Sequence, residues 1–187
     1  MRVLVRTLIL SGLGTAIHGS SAPASQAEHL VSHYIDMLAP PARPHVFHGE
    51  QVGVTTLSMA RLQETLLASP PVFQPDTITE QDVISHFGAD LGGSVWPEFA
   101  AKRLDAEKAD DLNHRISTSW TAMSARLARS FLPPARIEAV LRAAGGPTTP
   151  DSIHLDRSFY EAALLHGREI RNRFTVLDVM GAGGRLP

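Results

Sequence analysis

Cysteine is absent from the 187-residue chain, which excludes disulfides, thiolate metal sites and cysteine nucleophiles. Charge of one sign is also lacking. The 17 basic residues stand against 19 acidic ones, so there is no electrostatic footprint for a nucleic acid or an anionic membrane. No apolar run reaches the ~18 residues that cross a bilayer. Strand-like alternation framed by turn dipeptides is nearly missing, as are internal repeats and low-complexity tracts. There is no P-loop, nucleophile elbow or GxGxxG. Gly181-Ala182-Gly183-Gly184 follows no strand and opens no helix, so it reads as a tail and not as a phosphate cradle. What is present is apolar content of 43%, enough to give a chain of this length one packed core. Nine histidines are the remaining soft metal ligands.

The N-terminus supports two readings. Met1 to Arg6 is basic, Thr7 to Ile17 is largely apolar, and Ala22-Pro23-Ala24 has the small-x-small form of a cleavage site. That pattern imitates a secretory signal. The rival reading is an amphipathic first helix with Val3, Leu8, Leu10 and Leu13 among its apolar positions.

Beyond it the spacing is helical almost throughout. Ser25-Gln26-Ala27-Glu28 has capping-box form and predicts a helix from Ser25 to Leu38, stopped before Pro40-Pro41. A Pro-rich loop leads to a second helix over Gly49 to Ala68. Thr77-Ile78-Thr79-Glu80 caps a short helix toward Phe87, and Gly88 to Gly93 is expected to be loop. Pro97 suits a first helical position and opens a polar segment, Glu98 to Phe131, with a break near Asn113. Pro134 opens a helix stopped by Gly145-Gly146, Asp156 caps one over Arg157 to Asn172, and Thr175 to Met180 forms the last. Gly145 to Asp151 is the best linker candidate, and it is too short to divide the chain.

On the Ser25–Leu38 helix, Glu28, His29, Ser32, His33 and Asp36 form one polar stripe, while Leu30, Val31, Tyr34, Ile35, Met37 and Leu38 cover the rest. His29 and His33 are one turn apart, so both imidazoles can point into one site. His48 stands where the next helix begins, and an antiparallel hairpin returns it toward His29. Neutral imidazoles converging in this way suit a divalent transition metal. HxxxH on a helix is also a common solvated face, and His45-x-x-His48 could equally be a loop pair. His18, His86, His114, His154 and His166 show no partner pattern and read as surface or core residues.

The combination Ser20-Ser21-Ala22-Pro23-Ala24-Ser25-Gln26-Ala27-Glu28-His29, then Ser32-His33, then His48-Gly49-Glu50-Gln51-Val52-Gly53-Val54 resembles the sn-glycerol-1-phosphate dehydrogenase family. That family sits within the iron-containing alcohol dehydrogenase, glycerol dehydrogenase and dehydroquinate synthase superfamily. Leu8 to Gly14 is similar to the helix ahead of this motif, and Ile170-Arg171-Asn172-Arg173-Phe174-Thr175-Val176-Leu177 resembles the family's C-terminal signature.

The resemblance implies an all-α fold, a helical bundle equivalent to the C-terminal domain of that superfamily. Residues 1–187 would form a single helical metal-binding domain, with the N-terminal Rossmann-like, NAD(P)-binding domain absent. It implies metal ligation by His29 and His48, with His33 beside the substrate as a proton shuttle or phosphate contact. The metal would be zinc, or nickel or iron, acting as a Lewis acid. The reaction would be NAD(P)-linked interconversion of dihydroxyacetone phosphate and sn-glycerol 1-phosphate. Activity would need a separate Rossmann-like chain, because the aspartate that completes the metal's ligands in the family belongs to the nucleotide-binding domain. Self-association is the other expected partnership, with neither nucleic acid nor membrane. Ala22 stands where close relatives have arginine and Gln26 where they have glycine. As a domain helix, Val3 to Ile17 implies a cytoplasmic protein.

Two rival readings remain: a dehydroquinate synthase-like lyase fragment, and a helical interaction module without chemistry. Glu28 and Ser32 occupy positions where the lyase pattern has glycine, which counts against the lyase.

Overall fold

The computed structural model describes residues 2–186. Met1, which opens the basic stretch, and Pro187 lie outside the described residues. Among the described residues there are nine α-helices and no strand. They are α1 (Arg2–His18), α2 (Ala27–Leu38), α3 (His48–Ala68), α4 (Glu80–Phe87), α5 (Ala89–Ala100), α6 (Ala106–Ala128), α7 (Pro134–Ala143), α8 (Arg157–His166) and α9 (Val176–Ala182). A short 3-10 turn, Gly167–Ile170, follows α8. The expected all-helical fold is what the chain adopts.

The centre is the α2–α3 hairpin. Leu30, Val31, Tyr34 and Ile35 turn one face of α2 into a core shared with Val54 and Met59 of α3, Phe87 of α4, Val95 and Phe99 of α5, and Tyr160 and Ala163 of α8. The helices are antiparallel: the Thr55 hydroxyl donates to the Glu28 carbonyl, while Gln51, one turn earlier on α3, donates to the Ser32 carbonyl one turn later on α2. Ala39 is extended ahead of Pro40 and ends α2. At the start of α3 the Glu50 carboxylate accepts from the Phe47 N–H at 3.0 Å.

Several boundaries differ from the sequence reading. Ser25 does not cap α2. The helix starts at Ala27 after Gln26, which makes no side-chain cap, and Ser25 is held instead by Arg173 through its carbonyl. The segment from Gly88 to Gly93 is not a loop, because α5 begins at Ala89 and Pro97 lies inside it. Glycine is required at position 92 for packing. A Cβ there would stand 2.7 Å from the Ile84 Cα, where α4 and α5 cross. Gly92→Ala is therefore expected to destabilise by about 1–2 kcal/mol, the overpacking penalty exceeding alanine's better helix propensity. That is a drop of roughly 2–8 °C in a thermal melt.

The chain between α5 and α6 breaks at Ala101–Asp105, not near Asn113. Asn113 stays helical because its amide serves a neighbour: Oδ1 accepts from the Phe73 N–H at 2.8 Å and Nδ2 donates to the Phe73 carbonyl at 2.9 Å. The expected helix over Arg157 to Asn172 stops at His166 and tightens into the 3-10 turn.

Two buried ion pairs fasten the C-terminal elements. Lys102 and Asp178 meet at 2.7 Å with side chains 5% and 3% exposed, and Arg168 pairs with Asp76. Lys102 also donates to the Arg173 carbonyl at 2.8 Å. Burial pushes the Lys102 ammonium down and the Asp178 carboxyl up, each opposed mainly by the other.

α1 departs from expectation in a different way. It is helical, but none of its residues is buried. Val3, Leu8, Leu10 and Leu13, expected on a packed face, are all exposed. No described helix is long and apolar enough to cross a membrane.

Candidate functional site

The hairpin brings the three singled-out histidines together. The ring centroids of His29 and His48 are 5.4 Å apart, those of His33 and His48 6.1 Å, and those of His29 and His33 6.3 Å. His48 is the first residue of α3, so the turn from loop to helix aims its ring back at α2.

Each ring of the closer pair is braced through one nitrogen. His29 Nδ1 meets Glu28 Oε1 at 2.9 Å. An ionised carboxylate can only accept, so Nδ1 carries the proton and Nε2 keeps its lone pair in the neutral ring. His48 Nδ1 lies 3.3 Å from the Ser32 hydroxyl. Ser32 is fully buried and fixed by Gln51, whose Nε2 donates to the Ser32 hydroxyl and to Asp36 Oδ1, each at 2.9 Å. Arg43 completes the brace, donating from Nη1 to Gln51 Oε1 at 2.9 Å and from Nε to the Ile153 carbonyl at 3.0 Å. Among the described residues neither Nε2 has a hydrogen-bond partner, the arrangement that outer-shell groups impose on ligating histidines.

His33 is half exposed and lies 3.9 Å from Asp36. Burial holds its pKa below the usual imidazole value. Asp36 pulls the other way, and His29, His48 and Arg171 add to the lowering. Beside it opens a cavity of about 390 Å³ lined by His33, Asp36, Ser94, Glu98 and Arg171 among others. The donor set fits two of a metal's ligands. Among the described residues, no three histidine, aspartate or glutamate side chains are placed to hold an ion together.

Sequence reasoning passed over the bracing role of Glu28, Gln51 and Arg43, and the place of Arg171 beside His33. Glu28 and Gln51 stood next to the histidines in the motif. Arg171 lay within the C-terminal signature, whereas Arg43 carried no local signal.

His86 and His166, read as unpartnered, stack face to face at 3.6 Å. Tyr34 on α2 and Glu169 on the 3-10 turn flank this stack. The Tyr34 hydroxyl meets His86 Nε2 at 2.8 Å, and His166 Nδ1 meets Glu169 at 2.9 Å. Burial, then Glu169, pushes the Tyr34 hydroxyl up to about 12, so it donates to His86. Burial, then His166, pushes His86 down from 6.5 to about 4. The unfolded chain therefore takes up this proton first. Its contribution to stability is complete above pH 6.5 and is lost as pH falls toward 4. Discounted for partial exposure, it is worth about 1 kcal/mol between pH 7.5 and 5. Urea midpoints at the two pH values check this, and His86→Gln should flatten the difference.

No protein-family model matches the chain. Relatives are nonetheless clear. Glycerol-1-phosphate dehydrogenase (NAD(P)+) of Geobacillus stearothermophilus is 28% identical over 179 residues, covering 95% of this chain and 37% of that protein. The enzymes of the same name from Thermococcus sibiricus and Pyrococcus horikoshii are each 52% identical over 62 residues, 33% of this chain and 17% of those proteins. The chain spans little more than a third of the length of the Geobacillus relative.

An all-helical domain similar to part of NAD(P)-linked dehydrogenases is thus the class that fold and relatives define. More particularly, the chain is similar to part of the glycerol-1-phosphate dehydrogenases, and its all-helical fold is that expected of a C-terminal domain of such an enzyme.

Proposed function

We propose that this chain supplies the metal-holding helical half of an oxidoreductase of the glycerol-1-phosphate dehydrogenase type. The observation that carries this reading is the His29–His48 pair, with both Nδ1 atoms braced and both Nε2 atoms free. His29 and His48 would hold zinc, nickel or iron, which when bound would act as a Lewis acid on the substrate's secondary oxygen. Two imidazoles are one short of the three protein ligands of a catalytic zinc site. The third ligand and the NAD(P) site would come from a Rossmann-like domain, missing from these residues or carried on a separate chain. The substrate would be a small phosphorylated polyol or its ketone, dihydroxyacetone phosphate in the family's reaction. His33, kept largely neutral near pH 7, would pass a proton at its exposed edge. Arg171 would meet the phosphate across the adjoining cavity.

Calorimetric titration with Zn²⁺ tests the half-site. One ion per chain is expected, with saturable binding lost in both His29→Ala and His48→Ala. Unchanged stoichiometry and affinity in these variants would instead favour an interaction module without chemistry, the reading that the exposed α1 supports. Titration with NADH should give no heat of binding, and a measurable affinity would overturn the placement of the cofactor outside these residues.

A further inference from the structure

With eight residues, α4 is too short to be stable in water without packing. Its start is closed locally, the Thr79 N–H donating to the Asp82 carboxylate at 2.8 Å. It packs chiefly on α5, where Gly92 lets the two backbones close at Ile84. Toward the rest of the bundle it turns Val83, His86 and Phe87.

His86 and Phe87 enter one slot between α2 and α8. Phe87 stands edge-on to Tyr34, with ring centroids 5.8 Å apart, and to His166 at 6.4 Å. His86 lies over the His166 ring and meets the Tyr34 hydroxyl. Beyond His166 the Glu169 side chain is 1% exposed, and its Oε2 has no hydrogen-bond partner among the described residues. The slot suits only a neutral His86. A proton on Nε2 would face the hydrogen that Tyr34 donates, and the new charge would lie on another imidazole in a medium of low dielectric.

Among the described residues no free counter-charge faces it. α2 offers Tyr34 alone, its histidines and carboxylates lying on the other stripe. On α8, Arg157 and Glu161 pair with each other. On the 3-10 turn, Glu169 is engaged by His166 and Arg168 by Asp76. His166 is the charge that bears on His86, and neither Asp90 and Glu98 of α5 nor Glu80 and Asp82 of α4 stands beside it.

We propose that His86 is an acid-sensitive latch: its protonation frees the end of α4 from the slot between Tyr34 and His166, and α4 opens with the first turns of α5 ahead of the rest of the bundle. Ser94 and Val95 of α5 line the cavity beside His33, so the opening widens that cavity as pH falls. Its bearing on catalysis rests on the function proposed above. The opening itself does not, and it is read without metal or substrate.

Hydrogen exchange of the full chain between pH 7.5 and 5, corrected for intrinsic rates, tests the latch. At pH 5 the amides of α4 are expected to exchange roughly tenfold or more faster than those of α2 and α3. Their opening should be roughly fivefold more populated than at pH 7.5. His86→Gln still accepts from Tyr34 and does not titrate in this range, so its α4 should open equally at both ends of the range. Tyr34→Phe keeps the ring and removes the donation that holds Nε2 unprotonated, so its opening should set in at higher pH. Exchange of α4 only together with α2 and α3 would overturn the proposal. So would an acid-induced opening that persists in His86→Gln, or an onset unmoved in Tyr34→Phe.

Discussion

Asp178→Ala is expected to lower the free energy of unfolding by about 3–5 kcal/mol, because it leaves the Lys102 ammonium buried without its counter-charge. The same carboxylate also serves α9. Its Oδ2 accepts from the Thr175 N–H at 2.7 Å and lies 3.1 Å from the Thr175 hydroxyl. Replacing both partners, Lys102→Met with Asp178→Leu, removes the unpaired charge but still orphans the Thr175 N–H and the Arg173 carbonyl. The double variant should therefore fall between wild type and Asp178→Ala, unlike buried pairs whose removal is neutral. Guanidinium or urea titration at pH 7 measures both. The loss should reach the histidines as well, since Arg173 ties the C-terminal elements to the residues that lead into α2. A double variant as unstable as the single one would show that the desolvated charge is not the larger part of the effect.

Glu28→Ala is expected to weaken Zn²⁺ binding by about 10–100-fold, the usual consequence of removing the carboxylate behind a ligating histidine. Glu28→Gln keeps an acceptor for His29 Nδ1 but not the charge, and should fall between that variant and wild type. Glu28 also accepts from the Gln26 N–H at 2.8 Å, so Glu28→Ala carries a small cost to the start of α2, of the order of 1 kcal/mol. Circular dichroism separates the two effects. If Glu28→Ala binds Zn²⁺ like wild type, the ring of His29 is not being oriented for a metal, and the proposed half-site falls with it.

The hairpin was legible because its information is local. A polar stripe at helical spacing, a Pro-Pro stop and a third histidine at the next helix start lie close together in the sequence. α5 was misread because Gly92 and Gly93 carry the composition of a loop. What selects glycine at position 92 is the Ile84 backbone pressed against it, a tertiary fact. Asn113 misled in the same way, since its amide completes the Phe73 backbone rather than interrupting a helix. The capping-box form at Ser25 was local but wrong, because Arg173, 148 residues away, engages that residue. Tyr34 and His86 reach the His166–Glu169 pair only through packing, and no spacing in the chain announces that meeting.

The brace from Ser32 to His48 spans 16 residues, so it closes a short loop and needs little of the remaining chain. Loop closure on this scale takes nanoseconds to microseconds, and its entropy is small beside that of joining distant elements. An ion gripped by these two rings would therefore have a foothold before the bundle is complete. In refolding experiments Zn²⁺ should raise the folding rate more than it lowers the unfolding rate.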